Sequence, residues 1–304
     1  MTAILTACTQ RKRVTHNPIL SARDLPSGRL SEVAGAWSER LKKVEKDRSA
    51  RNLYSGRSFA EAVKAADALS ADLFVVSAGL GLVPGDHAVP SYNLTVSRGD
   101  PDCVMLKLPS DCTEADWWAA LGGADALVDL VERTPQIVVV GLPSPYLRMI
   151  APALGQLSDE ACSRIRIAGG RFVGDLDSRL DDARLPYDDR LDGPQSPLPG
   201  TKSDFAARAA RHFVEQILVQ DPFAPMDRHR AQVEALLSGW ARPIAKSGVR
   251  APDSEIKAII RQHWTRADGR STKLLRILRD ELNIACEQKR FKGLAAEIRE
   301  EKAQ

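Results

Sequence analysis

Residues 73–82, LFVVSAGLGL, join an apolar, β-rich run to a serine and a glycine-rich turn. Runs of the same kind occupy residues 4–7, 137–140 and 165–168. Between these runs, the spacing of apolar side chains is typical of amphipathic helices at residues 28–46, 58–69 and 113–131. The alternation predicts an α/β fold, namely a three-layer sandwich around a mainly parallel, four-stranded sheet.

The second half of the chain changes character twice. Residues 174–200 are rich in Asp, Pro and Gly, which predicts a long loop that either belongs to a site or crosses the surface as a connector. A helix is expected at residues 205–219, and the two prolines of residues 220–225 predict the domain boundary that follows it. We therefore expect an α/β domain of residues 1–222 and a helical domain of residues 223–304. The helices predicted in the second domain cover residues 227–240, 254–263, 271–282 and 286–300.

Composition excludes several classes of protein. With 43% hydrophobic and 27% charged residues in 304, the chain has ordinary globular usage rather than that of a disordered, collagen-like or coiled-coil protein. No apolar run approaches the length of a membrane span and the N-terminus lacks a signal-peptide pattern, so a cytoplasmic protein without a membrane partner is expected. The five cysteines form no C-x-x-C pair and the five histidines are scattered, so we expect no disulfide framework and no metal.

Charge is distributed unevenly along the chain. Residues 1–224 contain 26 Lys and Arg against 29 Asp and Glu, a balance of −3, whereas residues 225–304 contain 17 against 11, a balance of +6. Lys273, Arg276 and Arg279 follow one another at i, i+3 and i+6 of a predicted helix, and a helix-turn-helix is possible around Asp268-Gly269. This pattern is consistent either with contact to nucleic-acid phosphates or with a solvated face of a helical bundle.

Small and polar residues follow each predicted strand. Because ligands of doubly wound sheets bind beyond the carboxyl ends of the strands, these residues are candidates for a binding pocket. They are Cys8, Gln10 and Lys12 after the first strand, Ser77, Gly79 and Gly81 after the second, Ser144 and Tyr146 after the third, and Arg171 after the fourth. Tyr54, Tyr92 and Tyr146 could supply faces on which a base stacks, and the Gln10 amide could read a base edge.

Several common sites are excluded by their motifs. Gly79 and Gly81 lack the third glycine of a dinucleotide fingerprint, and neither a P-loop nor a G-x-S-x-G elbow occurs, so no cofactor is expected. Cys8 has no evident histidine partner in the sequence and is interpreted as a packed thiol rather than a nucleophile.

Three motifs carry a family resemblance. The Cys-x-x-x-Lys pattern of residues 8–12 precedes LYSGRSF at residues 53–59, SAGLGLV at residues 77–83 and a P-x-Y at residues 90–92. Together they resemble a bacterial family whose core is similar to the uracil-DNA glycosylase fold, over about residues 2–175. Related modules accompany enzymes of deazapurine modification, and the wider group is similar to an anti-phage DNA glycosylase that removes glucosylated hydroxymethylcytosine.

The chain departs from the uracil-DNA glycosylases at two positions. Thr9-Gln10 stands where those enzymes carry an acid or asparagine, and Leu142 replaces the histidine of their H-P-S-P loop, which GLPSPY at residues 141–146 otherwise resembles. The uracil-type leaving-group donor is therefore missing, and the reacting groups are expected elsewhere.

The resemblance implies a monofunctional DNA glycosylase that flips a modified base out of double-stranded DNA and leaves an abasic site in anti-phage defence. For the residue that positions water we choose Asn93 or Asp175, with donors at Gly79–Gly81 and the Ser144 hydroxyl stabilising the leaving base. Lys12 and Arg171 would meet phosphate or an appended sugar, and a Schiff base at Lys12 is the less favoured mechanism. The expected DNA contacts are Lys273, Arg276, Arg279, Lys289 and Arg290, the last two within the ACEQKRF ending that is similar to tails of some members.

Two other functions remain open at this point. One is an RNA-base or nucleoside modifying enzyme of the deazapurine type, and the other is a non-catalytic nucleic-acid-binding protein. The sequence predicts no oligomeric state.

Overall fold

The structure is a computed structural model that describes residues 2–169, 176–243 and 248–303. Its strands are β1 (Ala3–Ala7), β2 (Arg48–Ser49), β3 (Asp72–Ser77), β4 (Gly81–Pro84), β5 (Ala88–Val89), β6 (Val138–Gly141), β7 (Ile165–Ile167), β8 (Val249–Arg250) and β9 (Ile284–Ala285). Its α-helices are α1 (Leu30–Lys42), α2 (Ala50–Leu53), α3 (Arg57–Leu69), α4 (Glu114–Ala120), α5 (Gly123–Arg133), α6 (Ser144–Leu154), α7 (Asp159–Ser163), α8 (Phe205–Phe213), α9 (Met226–Leu237), α10 (Asp253–His263), α11 (Ser271–Arg276) and α12 (Gln288–Ala303).

The central sheet has the order β4-β3-β1-β6-β7. β1 lies in the middle, where Leu5 pairs in parallel with Phe74 of β3 on one side and with Val140 of β6 on the other. β7 continues the parallel pairing beyond β6. The four runs read from the sequence are therefore the four parallel strands, and the mainly parallel sheet is confirmed.

A fifth strand was not predicted. β4 pairs antiparallel with β3, with Gly81 opposite Ser77. Gly81 adopts a φ of +71°, which lets the chain reverse immediately after β3. Gly81 thus serves a hairpin at the sheet edge, and the glycine-rich turn that the sequence suggested as part of a pocket leads into a strand.

Helices cover the sheet in two groups. α3 and α8 pack against each other, α3 against β1 and α8 against β6, where the Cβ of an alanine at Gly141 would lie 2.9 Å from the Ala210 Cβ. α4, α5 and α6 pack together, and α5 packs on β4. Because right-handed crossovers leave β1 and β6 in opposite directions, α3 and α6 lie on opposite faces of the sheet.

Three predicted helices are modified, and one of them is the helix expected at residues 271–282, in which α11 passes into a π-helical turn at Ile277–Glu281. The helix expected at residues 113–131 is divided into α4 and α5 at Gly122, which has a φ of +75°. The helix expected at residues 205–219 forms, but α8 passes into a π-helical turn at Val214–Leu218. Among the described residues, no helix has both the length and the apolar character that a membrane crossing requires.

The acidic loop has few regular elements. Within its described part, residues 176–200, short 3-10 turns occur at Ser178–Leu180 and Asp189–Asp192. Arg208 of α8, whose side chain is fully buried, binds Asp192 at 2.5 Å and Asp204 at 2.6 Å and donates to the Leu198 carbonyl. Arg208 therefore fastens this loop to α8, and Arg57 of α3, which donates to the Pro199 carbonyl, holds its end as well.

The chain divides into two compact units, Met1–Pro243 and Ile244–Gln304. This boundary lies later than the expected one at residues 222/223, because α9 belongs to the first unit. Val233 and Leu237 of α9 are buried in the main core, and Arg166 of β7 bonds to His229 of the same helix. Prolines ended a helix here as expected but did not end the domain.

The second unit is helical with one addition. α10, α11 and α12 enclose a small core that includes Ile256, Leu278 and Phe291. The turn at Asp268-Gly269, where both residues have positive φ, joins α10 to α11 as expected. The short parallel strands β8 and β9 were not predicted, since two-residue strands leave no periodic signal.

Candidate functional site

β1 and β6 are parallel neighbours in the sheet, and their carboxyl ends lie at the same edge. The chain proceeds from β1 to β3 on one side and from β6 to β7 on the other, so the strand order reverses at this position. Such a switch point is where open α/β sheets bind ligands. Cys8 follows β1 and Tyr146 lies in the first turn of α6, and the Cys8 Sγ and the Tyr146 Oη lie 3.1 Å apart. This contact joins the segments that follow β1 and β6.

Three hydroxyl groups meet beside this contact, at the end of β3. The Tyr92 Oη lies 2.6 Å from the Ser77 Oγ and 2.9 Å from the Tyr54 Oη. Both tyrosines are almost completely buried, and burial raises the pKa of each phenol above its ordinary value. The phenols therefore stay protonated at neutral pH and form a fixed hydrogen-bonded floor.

Lys12 lies over this floor. Its Nζ is 4.3 Å from the centre of the Tyr92 ring and 5.8 Å from that of Tyr54, and it donates to the Thr9 carbonyl at 3.4 Å. A backbone bridge between Lys12 and Tyr54 sets this position. Burial lowers the pKa of the Lys12 amine, and the nearby Cys8 opposes part of that change.

We call Cys8, Lys12, Tyr54, Ser77, Tyr92 and Tyr146 the amine–tyrosine cluster. Each was a candidate read from the sequence, and the structure brings the six together. Cys8 and Lys12 follow β1, Ser77 ends β3, and Tyr146 follows β6. Tyr54 follows α2, and Tyr92 follows β5. A lysine whose pKa is lowered holds a larger neutral fraction at neutral pH than an exposed lysine does, so the amine can act as a nucleophile or base.

The glycine turn beside the cluster does not offer the donors expected of it. The Gly79 and Leu80 amides both donate to the Ser77 Oγ, at 3.3 and 3.1 Å. The carbonyls of Ala78 and Gly79 accept from the indoles of Trp117 and Trp37, each at 2.7 Å. The turn is thus held by its own hydrogen bonds, and stabilisation of a leaving base by donors at Gly79–Gly81 is not supported.

The expected stacking role of Tyr92 is corrected for a similar reason. A Cβ at Gly79 would lie 2.6 Å from the Tyr92 Cε2, so the ring packs directly against the backbone of the turn. The Trp37 ring meets it edge-on at 6.2 Å, and Lys12 covers it as described. Tyr54 is likewise enclosed, with Phe59 at 5.5 Å. Tyr146 is half-buried and keeps its candidacy as a stacking or donor group.

Asn93 is engaged elsewhere. Its side-chain amide donates to the Asp102 Oδ2 at 2.6 Å, and Asp102 also accepts from Ser21 at 2.5 Å and pairs with Arg23. Asp102 is buried, and the Arg23 guanidinium and Ser21 hydroxyl overcome the effect of burial and lower its pKa to about 2. This arrangement fastens two loops together, which argues against Asn93 as the residue that positions water.

The other strand-end candidates lie in different surroundings. Gln10 is exposed and donates to Asp100 at 3.1 Å. Ser144 lines a cavity of about 560 Å³ after β6, together with Phe205 of α8. The acidic loop contributes Tyr187, Asp188, Asp189 and Asp192 to the same cavity. Arg171 and Asp175 lie outside the described residues.

The basic candidates of the second unit are mostly in ion pairs. Lys273 binds Asp268 at 2.7 Å, Arg276 lies 3.7 Å from Asp280, and Arg290 binds Asp253 at 2.5 Å. Arg279 donates to the Cys286 carbonyl at 2.6 Å, and Lys289 is exposed. The stripe read from the sequence is therefore partly neutralised, and only Arg279 and Arg290 of the five line a common cavity.

The sequence indicated neither that burial lowers the pKa of Lys12 nor that Cys8 contacts Tyr146. The spacing of residues 8–12 drew attention to both residues, but burial of the Lys12 amine over a ring depends on Tyr92, which is 80 positions further along the chain.

Within residues 2–169, 176–243 and 248–303, no group of three or more His, Cys, Asp or Glu side chains is arranged to hold a metal ion. Comparison with protein-family models, with curated proteins and with solved structures finds no match for this chain.

Proposed function

We propose that this protein is a DNA glycosylase that breaks the N-glycosidic bond of a modified base, and that the amine–tyrosine cluster is its reacting site. The observation that carries the proposal is the Lys12 amine, held 4.3 Å above the Tyr92 ring at the strand-order reversal with a pKa that burial lowers. The resemblance to proteins with a uracil-DNA-glycosylase-like core spans about residues 2–175, which include all six residues of the cluster. That fold assignment is part of the proposal.

The chemistry requires a flipped nucleotide. A base inside a duplex is unreachable, so the enzyme extrudes it at a cost of about a few kcal/mol and holds it beside the amine–tyrosine cluster. The neutral Lys12 amine attacks C1′ as the C1′–N bond breaks, and the base leaves with the bonding electron pair and takes up a proton. The nitrogen then forms a C=N bond to C1′ as the C1′–O4′ bond opens, and its remaining proton passes to O4′.

The neighbours of Lys12 have supporting roles in this mechanism. Burial raises the pKa of the Tyr146 phenol, so its hydroxyl remains protonated and can donate a hydrogen bond to the departing base. Tyr54, Ser77 and Tyr92 fix the position of the amine rather than contact the substrate, because they are buried beneath it. This assignment replaces the water-positioning role of Asn93, whose amide is bound to Asp102.

The test uses purified full-length protein and matched duplexes that contain cytosine, uracil, hydroxymethylcytosine or glucosylated hydroxymethylcytosine. Alkaline strand cleavage detects abasic sites, and sodium borohydride traps an imine as a covalent protein–DNA adduct. We expect cleavage and trapping with a modified base only. Both should be lost in Lys12→Met and Lys12→Arg and retained in Lys43→Met, which changes an exposed lysine.

The other outcomes assign other functions. Abasic sites without an adduct would retain the glycosylase and reject Lys12 as nucleophile in favour of activated water. Intact DNA together with base release from RNA would favour the deazapurine-type modifying enzyme. Binding without any base release would overturn the enzyme proposal. A role in anti-phage defence predicts reduced plating of a phage with the responsive base in cells that express the wild-type protein and normal plating with Lys12→Met.

A further inference from the structure

The second unit contains a groove of about 650 Å³ that the catalytic proposal does not use. It follows the short parallel pair β8 and β9, where Arg250 is in register with Ala285. The strands approach closely, because a Cβ at Gly248 would lie 2.6 Å from the Ala285 amide nitrogen. The start of α12 forms part of its rim, through Glu287 and Arg290.

Three arginines from separate parts of the chain line this groove, namely Arg250 from β8, Arg279 from the π-helical turn at Ile277–Glu281 and Arg290 from α12. On a solvated face of one helix, charged residues follow one another at helical spacing. The three arginines of this groove come from three different elements instead. Two carboxylates, Asp280 and Glu287, also line the groove, so its formal balance is positive by one charge.

Two of the three guanidinium groups are held in place by hydrogen bonds that leave some of their N–H donors available. Arg279 donates to the Cys286 carbonyl at 2.6 Å, and Arg290 donates to the Ala251 carbonyl at 3.0 Å while it pairs with Asp253. A guanidinium has five N–H donors, so each group retains donors beyond these bonds. Across the described residues, Arg250 has no carboxylate in ion-pairing contact and is exposed.

We propose that Arg250, Arg279 and Arg290 bind consecutive phosphates of a DNA backbone in this groove. Planar guanidinium groups match phosphate oxygens in paired hydrogen bonds, and Arg279 and Arg290, which other hydrogen bonds already hold, lose less freedom on binding than unanchored arginines do. The groove gives DNA affinity without base recognition, since phosphate contacts position a protein and do not read sequence. Arg250 thus joins the basic residues expected from the sequence to contact DNA, whereas Lys273 and Arg276 do not line the groove.

The test measures anisotropy of a fluorescein-labelled, unmodified 20-base-pair duplex with full-length protein at several KCl concentrations. We expect Arg250→Gln, Arg279→Gln and Arg290→Gln each to weaken binding about three- to tenfold and to reduce the slope of log K against log [KCl] by about one. Arg261→Gln is the matched control, because it removes one charge from the same unit at a surface pair with Glu301. It should change the affinity less than twofold.

Folding and partner identity are checked in the same experiment. Arg290→Lys keeps the charge and should keep the salt slope, so its loss of slope would overturn the phosphate assignment even if Arg290→Gln were poorly folded. Equal weakening by all four glutamine variants, or unchanged slopes, would also overturn it. Tighter binding of polyglutamate or of the matching RNA than of DNA would assign the groove to another partner. The probe is an unmodified duplex and the readout is binding rather than base release, so failure of this proposal and failure of the glycosylase proposal are distinguishable.

Discussion

The Arg166 Nε donates a hydrogen bond to the His229 Nδ1 at 2.9 Å, and both side chains are buried. Because Nδ1 accepts, the proton of the neutral imidazole is on Nε2, which donates to the Asp221 carbonyl at 2.8 Å. Arg166 also donates to the Ser163 and Ala224 carbonyls, and burial lowers its pKa to about 10. A buried cation is thus solvated by carbonyl and imidazole acceptors, and it joins β7 to α9.

Removing the imidazole should destabilise the first unit. In His229→Leu the Arg166 Nε loses its acceptor in a buried site, so the free energy of unfolding in urea should fall by about 1–3 kcal/mol. His87→Leu, at an exposed histidine, should change it by less than about 0.5 kcal/mol. Equal effects of the two substitutions would contradict the role given to His229.

The same histidine gives stability a pH dependence. Burial lowers the pKa of His229 below 6.5, and it lowers that of His212 to about 4. Below pH 6.5 the unfolded chain binds protons that the folded protein does not, so the free energy of unfolding should decrease as pH falls toward 4. His229→Leu should reduce this slope, measured by urea unfolding at successive pH values. A slope identical to that of wild type would show that His229 titrates alike in both states.

Asp102 should make an acid-sensitive contribution at lower pH. Its pKa of about 2 lies below the ordinary 3.8, so its contribution is complete above pH 3.8 and is lost as pH falls toward 2. Asp102→Asn removes the charge that Arg23 and Asn93 bind and should cost about 1.5–3 kcal/mol at pH 7. Asp86→Asn, at a side chain that is 93% exposed, is the control. Chemical denaturation at pH 7 gives the free energy of unfolding of both variants. An Asp102→Asn protein as stable as wild type would show that the Asp102 carboxylate does not stabilise the fold.

Gly79 and Gly35 should respond oppositely to alanine. A Cβ at Gly79 would lie 2.6 Å from the Tyr92 ring, so Gly79→Ala must displace the floor under Lys12 and should cost about 1–3 kcal/mol. Gly35, exposed within α1, has nothing within 4 Å of the corresponding position, so Gly35→Ala should stabilise by up to about 1 kcal/mol. Thermal unfolding of both variants gives the sign of each change. A stable Gly79→Ala protein would show that the Tyr92 ring is not confined.

Loss of Arg208 should make the acidic loop accessible to proteases. Arg208→Met leaves Asp204 and Asp192 without their buried partner, which should cost about 3–5 kcal/mol and expose residues 193–203 to limited proteolysis. Arg133→Met removes a guanidinium that is 79% exposed and should leave the cleavage pattern unchanged. Mass spectrometry of the fragments locates the cut. Cleavage outside the loop, or none, would show that other contacts hold it.

The pH profile of base release should follow the titration of Lys12. A nucleophilic amine reacts when neutral, so the rate should rise with pH and level off below the ordinary lysine pKa of 10.5, because burial lowers the pKa. Single-turnover rates between pH 5 and 10 test this, and Cys8→Ala should move the midpoint lower, since Cys8 raises the pKa of Lys12. A rate that is constant over this range would remove Lys12 from the reacting step.

The parallel core of the fold could be predicted because its strands are apolar on both faces. A short run of β-branched residues such as IVVV at residues 137–140 strongly favours a buried strand over other secondary structure, and β6 occupies nearly the same residues. β4 was missed because its sequence, GLVP, looks like the continuation of a glycine turn, and its pairing depends on a φ at Gly81 that sequence leaves free. The domain boundary was displaced because the partner of Arg166, His229, could not be known from the prolines that precede it.

The proximity of several candidate residues could be predicted from the sequence, but their contacts could not. The strand-end rule selected Cys8, Lys12 and Tyr146 correctly as neighbours. The roles depend on which side of each group is buried, and that is set by distant residues. Asn93 and Tyr92 are adjacent in sequence, yet one faces Asp102 and the other forms the floor under Lys12.

The central position of β1 has a consequence for the order of events during translation. Cys8 and Tyr146 are 138 residues apart in sequence, and β1 needs both β3 and β6 before its two edges are paired. At synthesis rates of about 5–20 residues per second, about 7–28 seconds separate the synthesis of these two residues on the ribosome. Throughout that interval an apolar strand has an unpaired edge, so the nascent chain should depend on early shielding of its first residues, and slower elongation should lower the yield of native protein.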